Sequence, residues 1–404
     1  MRTALFSLLF CLLPALLPAQ KESQWRGPDR DGIFPETGLL KSWPAEGPKK
    51  LWVYEGLGDG HTSPSIANNL IYITGARGKE GILFVMDLNG KVVKEKPYGE
   101  EWTKSYEGSR SFVLVNDGVL YLVTGMGRVM AWDEKTLNPI WEKDMLADFD
   151  GRNITWGITE SPLVVDEKII LTPGGTQHNV VALNKKTGAL IWSSAGEGGK
   201  SAYGSPMLVK GHGAPIVVVM TENHILGLDL ATGKKNWSVE HKNQYAVHAN
   251  TPLYSDGLLL CTSGYGKGSV MLKISPDGKS VEKAWENEAL DNRIGAMVKL
   301  GNYVYGSGDK SRSWFCADWK TGTIQYSEKG FYNGCVMAAD GMLYCYSDKG
   351  DLALVSPSTE KFDKKGEFVV KEGTAQHWAH PIVHNKVLYI RHGNALIAYD
   401  IAAR

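Results

Sequence analysis

Hydrophobic and polar positions alternate in a recurring block along this chain. From Asn179 to Trp192, NVVALNKKTGALIW, an apolar run gives way to Asn and Lys-Lys-Thr-Gly, and a second apolar run ends in Trp. The block predicts two strands joined by a tight turn. Asn184 bonds its own backbone to start that turn, and Gly188 takes positive φ to finish it. Related blocks lead from Met86-Asp87 through Gly90 to Val93, and from Ala131-Trp132-Asp133 to Trp141. Others run from Leu228-Asp229 through Gly233 to Trp237, from Lys273-Ile274 through Gly278 to Trp285, and from Ala317-Asp318 through Gly322 to Tyr326.

The Trp positions 141, 192, 237 and 285 are 51, 45 and 48 residues apart, and Tyr326 follows after 41. A period of this size made of short strands predicts an all-β, eight-bladed β-propeller with four strands per blade. First strands are expected near Ser63-Pro64, Ser111, Ser161-Pro162, Ser205-Pro206, Thr251-Pro252, Ala296, Cys335 and His380-Pro381. The last of these blades runs out of chain after three strands, while Leu51-Trp52-Val53-Tyr54 looks like a fourth strand without partners. Pairing the two removes both exposed edges and closes the ring. The expected organisation is a leader over 1–19, an extended arm over 20–50 and the propeller over 51–404.

Composition changes this picture little. Lys plus Arg and Asp plus Glu are both 44 in 404 residues, so bulk charge advertises no nucleic-acid partner. The leader reads as a cleaved secretory signal. Arg2 supplies the positive end, Ala4 to Leu17 is apolar, and Ala19 precedes the cut. The apolar run is too short for a transmembrane segment, so a periplasmic or secreted monomer is expected. Cys335 and Cys345 flank the turn at Asp340-Gly341, and an exported chain permits a disulfide there. Two small buried strand residues is the preferred reading, because register decides. The arm, Gln24 to Pro48, is expected to pin its isolated apolar residues onto the propeller.

The Ala-x-Asp-x-x-Thr-Gly-x-x-x-Trp pattern, seen at Ala182 to Trp192, Gly227 to Trp237 and Ala317 to Tyr326, resembles the repeat of the pyrroloquinoline-quinone-like propellers. The opening Trp25-Arg26-Gly27-Pro28-Asp29-Arg30-Asp31-Gly32, followed by Leu51-Trp52, is similar to exported members of that group. The resemblance implies an eight-bladed ring in which the repeated Trp packs between blades. It implies one of two activities. One is a non-catalytic scaffold of the outer-membrane barrel assembly kind. The other is a quinoprotein dehydrogenase oxidising alcohols or sugars with a quinone, calcium and a disulfide between adjacent cysteines. The chain has no adjacent cysteines and no Cys-x-x-Cys-His haem motif. Glu160 and Asn250 could contribute oxygens to calcium, but two oxygens do not make a site.

Loops leading into the first strands open at one mouth of the channel, where function concentrates. They carry His61, Glu107, Arg110, Trp156, Glu160, Tyr203, His248, Asn250, Arg293, Tyr332, Asn333, His377, Trp378 and His380. Tight turns do not require Trp, Tyr, His or Arg. One reading is a pocket in which Arg110 and Arg293 offer paired donors and the aromatic residues offer stacking faces. The other is that these residues plug the channel and bond to each other. The histidines come from different blades without a metal-ligand spacing, so no metal site is assigned. The favoured function is a scaffold that binds a protein, peptide or polar ligand without a cofactor; the alternative uses pyrroloquinoline quinone with calcium.

Overall fold

The computed structural model describes residues 22–403, so the leader read over 1–19 lies outside the described residues. Within them, eight four-stranded antiparallel sheets follow one another in chain order, one also carrying a short added strand. The third blade shows the plan. Leu163–Val165, Lys168–Leu171, Val180–Asn184 and Leu190–Ser194 pair in sequence. First, second and third strands are mostly buried, and the fourth alternates exposed and buried residues. First strands begin at Ser65, Leu114, Leu163, Met207, Leu253, Val298, Gly334 and Ile382. The ring closes as expected. Lys49–Tyr54 pairs antiparallel with Ala395–Asp400 and supplies the outer strand of the eighth blade.

The repeated block acts between blades as well as within them. Asp133, Asn184, Asp229 and Asp318 each accept backbone N–H bonds from residues two or three ahead. The glycine that ends the turn then receives the Trp of the preceding blade. Trp141 lies against Gly188, Trp192 against Gly233 and Trp285 against Gly322. Each indole N–H donates to a carbonyl in that same turn, as from Trp141 to Lys185 at 2.8 Å and from Trp192 to Leu230 at 2.9 Å. Trp52 makes the same contact across the closure, against Gly90 and Leu88. Aliphatic side chains from neighbouring blades fill the space beneath, as in the core shared by blades two and three.

The arm does more than lie on the surface. Ser23 bridges to Val115 in the first strand of blade two. The chain then climbs the channel, reverses, and returns as Ile33–Phe34, which pairs parallel with Ala338 and Ala339 at the inner edge of blade seven. The reversal consists of nested turns: Arg30 N–H bonds Gly27, and Gly32 N–H bonds Arg26. Gly27 and Gly32 hold positive φ, and a side chain at either would strike Ile33 or Arg26. Arg26 and Arg30 are buried and anchored by carbonyls, Arg26 to Met297 at 2.7 Å and Arg30 to Ser161 at 2.9 Å. Leu39 and Trp43 then bury themselves against blades seven and eight.

The cysteine pair is settled by register. Cys335 stands opposite Tyr346 and Cys345 opposite Val336, one residue out of step, so their side chains leave on opposite faces of the sheet. The four cysteines among the described residues are free and buried, and the disulfide option does not apply.

Candidate functional site

At the mouth where the first strands begin, a cup of about 200 Å³ opens over the tip of the arm. Trp25 forms part of its floor. Its indole N–H donates to Thr251 Oγ1 at 3.1 Å, and its ring lies 4.9 Å from that of His380. His61, Arg110, Trp156, Tyr203, Arg293, Trp378 and His380 line the wall, so seven of the fourteen nominated residues meet there. The channel is filled from below by the arm, and these residues form a rim above it.

The other seven lie elsewhere. Glu107 is exposed beside the cup. Glu160, His248 and Asn250 are buried behind the wall. His248 bonds Ser263 Oγ at 2.5 Å and the Glu222 carbonyl at 3.2 Å. Asn250 donates to the Thr262 and Asn292 carbonyls and accepts the Ala296 N–H at 2.6 Å. His377 stacks on His392 at 3.5 Å and bonds the Tyr346 hydroxyl. Tyr332 lines a separate depression beside Phe331 and Phe368, and Asn333 is buried there with its carbonyl accepting Asp348 N–H. The sequence reading missed Trp25, Tyr106 and Tyr265 as members of the cup.

The cup is cationic and aromatic. Arg110 donates to the Ser105 carbonyl at 2.9 Å and to that of Tyr106, and packs 5.6 Å from the Trp102 ring. Burial lowers its pKa to about 10, so it stays charged at neutral pH, and its Nε has no partner. Arg293 Nε lies 3.0 Å from Asp309 Oδ1, an ion pair short of hydrogen-bond alignment. No carboxylate lies among the residues lining the cup. His61 and His380 are kept neutral, because burial first and nearby arginines second lower both to about 3. The threonine and serine hydroxyls of the lining are engaged by main chain: Thr159 donates to the Tyr203 carbonyl, and Ser205 accepts the Ser161 N–H.

Three of the cup tyrosines sit in the left-handed region: Tyr106 at φ 49°, Tyr203 at 71° and Tyr265 at 60°. Each costs roughly 1–2 kcal/mol relative to glycine. Tyr203 offsets that cost by burial in the core of blades two and three, and Tyr265 packs against the same core.

A family model described as "Outer membrane protein assembly factor BamB" matches residues 44–143 and 138–365. The chain belongs to that family. Against this BamB-family chain, quinoprotein alcohol dehydrogenase PedH of Pseudomonas putida is 31% identical over 230 residues, 56% of the chain and 31% of that enzyme. Quinoprotein ethanol dehydrogenase of Pseudomonas aeruginosa is 30% identical over 117 residues, 27% of the chain and 18% of the enzyme. The chain therefore spans less than a third of the length of these curated relatives. BamB from Moraxella catarrhalis superimposes with a TM-score of 0.62 at 13% identity, covering 87% of this chain and 99% of that one. Quinohemoprotein alcohol dehydrogenase from Comamonas testosteroni gives 0.67 at 12% identity, covering 93% and 79%. Both share the fold.

Of the two residues named for the calcium that the resemblance implies, Glu160 and Asn250, each has one oxygen engaged by main chain, and the buried Glu160 Oε2 has no partner. Asn250 Oδ1 is engaged by Ala296 N–H. Glu160 Oε1 accepts Thr172 N–H at 2.8 Å, and burial raises its pKa to about 7, which favours the neutral acid. Among the described residues no three acidic, His or Cys side chains gather closely enough to hold a metal ion.

Proposed function

We propose that the protein is an exported, non-catalytic, monomeric scaffold that binds a peptide, protein segment or small polar ligand in the cup at the channel mouth. The carrying observation is the cup itself: two guanidiniums and six aromatic rings around a blind cavity with no carboxylate in its lining. Guanidinium and aromatic groups anchor ligands in desolvated pockets more strongly than other side chains do. Membership of a family described as an outer membrane protein assembly factor supports export and a binding role, as does the leader pattern over 1–19. The engaged hydroxyls and neutral, unpaired His61 offer no activated nucleophile, which supports binding over catalysis without a resident cofactor.

The 31% match to a quinoprotein alcohol dehydrogenase favours alcohol oxidation as the second reading. Titration with N-acetyl-phenylalanine, an anionic aromatic probe, separates the two. Saturable quenching of tryptophan fluorescence is expected. The Arg110→Ala, Arg293→Ala double variant should weaken it about tenfold or more, the scale of a charge-assisted hydrogen bond. Equal affinity in parent and variant refutes the cup. Dye-linked alcohol oxidation after addition of pyrroloquinoline quinone and calcium would replace the scaffold reading with the enzymatic one.

A further inference from the structure

We infer that the cup is the blind end of a longer groove, and that the groove takes an extended peptide whose C-terminal carboxylate enters the cup. The inference rests on the cup being a ligand site. A second depression of about 530 Å³ adjoins it and shares Trp156 and Tyr203 as a common wall. It runs outward over the loops of blades three to five and is lined by Lys200, Glu222, Asn223, Gln244 and Tyr245, the Glu222 carboxylate accepting the Lys200 N–H at 3.3 Å.

Three features select the ligand and its direction. The arm closes the cup from below through Trp25, so a ligand chain must end there or turn back within about 200 Å³. The end it accepts is anionic. Arg110 is bonded to carbonyls only, Arg293 is paired from behind by Asp309, and the lining itself carries no carboxylate, so an N-terminal amine would meet like charge from Arg110 above all. A terminal side chain entering with the carboxylate meets tryptophan and tyrosine rings, which favours an aromatic or large apolar residue. Beyond the shared wall the chemistry changes. Asn223 and Gln244 have side-chain amides without hydrogen bonds among the described residues. A primary amide offers donors and an acceptor together, the complement of a peptide backbone. Tyr245 is 50% exposed and meets Tyr265 of the cup edge-on at 4.6 Å. The neighbouring Ala246 holds φ 55°, so backbone strain continues into the groove.

Fluorescence anisotropy tests this with three probes on the purified protein. They are a fluorescein-labelled octapeptide ending in phenylalanine with a free carboxylate, its C-terminal amide, and N-acetyl-phenylalanine as an unlabelled competitor. The free acid is expected to bind about tenfold or more tighter than the amide, as loss of a charge-assisted hydrogen bond requires. An Asn223→Ala, Gln244→Ala double variant, altered only at partly or fully exposed side chains, should weaken the octapeptide several-fold and leave the competitor unchanged. Equal binding of acid and amide overturns carboxylate capture. Octapeptide binding no tighter than the competitor, and indifferent to the double variant, overturns the groove while the cup stands. Failure of every probe to bind removes the cup reading as well.

Discussion

At the scale of single residues, the turn glycines separate two physical effects. Gly118 and Gly188 both hold positive φ, 76° and 69°. A side chain at Gly118 meets open space, whereas one at Gly188 would stand 2.8 Å from the Trp141 ring. Gly118→Ala is therefore expected to cost about 1 kcal/mol, the backbone term alone. Gly188→Ala should cost about 1–3 kcal/mol more, because the indole of the preceding blade must move. Urea midpoints of the two variants check this, and equal losses would show that the Trp contact contributes nothing. Leu137 shows the balance from the other side. It holds φ 57° where related turns have glycine, yet its side chain is buried against blades one and two. Burying a leucine is worth more than the strain it brings.

Among the elements, the arm and the closing strand divide the work. Lys49–Tyr54 shuts the ring, and residues 23–34 fill its centre. Deleting residues 22–34 should leave a folded ring with lower thermal stability, with the cup floor gone and ligand binding lost with it. Circular dichroism and the anisotropy titration measure the two effects. Loss of all β signal would mean that the ring cannot form without its filling. The blades were legible in the sequence because their turns are local: Asn184 and Gly188 act on residues within five of themselves. The pinning of the arm by isolated apolar residues such as Leu39 and Trp43 was legible too, but its path through the channel was not, because what holds it there is distant, with Arg30 bonding Ser161 across 131 residues. Tyr265 escaped notice because it lies in a turn between second and third strands, which opens on the same face as the loops read for function. His248 and Asn250 are in those loops, but their side chains turn back to bond the blades, a choice that spacing does not reveal.

For the molecule as a whole, burial sets the response to pH. His61, His241, His248, His377 and His380 all have their pKa lowered, chiefly by burial, to between about 3 and 4. The native state holds them neutral, so their contribution is present above the unfolded value near 6.5 and is lost as pH falls through it toward 3. Urea midpoints should therefore decline steadily below pH 6.5. Glu160 has the opposite sign. Burial raises it to about 7, so ionisation opposes folding above pH 4.5. The Glu160→Gln variant should exceed the parent in midpoint at pH 8, and the gap should close by about pH 4.5. A gap constant across that range would show that Glu160 keeps one protonation state throughout.

Both described ends of the chain come out on the face away from the cup. Glu22 meets Asn116, the last residue of the first strand of blade two, and Ala403 meets Gly38 beside the turns of blades seven and eight. A tether, tag or fusion partner joined directly at Glu22 or Ala403 would therefore hold the molecule by its underside. The receptive surface would then point away from the attachment, toward whatever passes above.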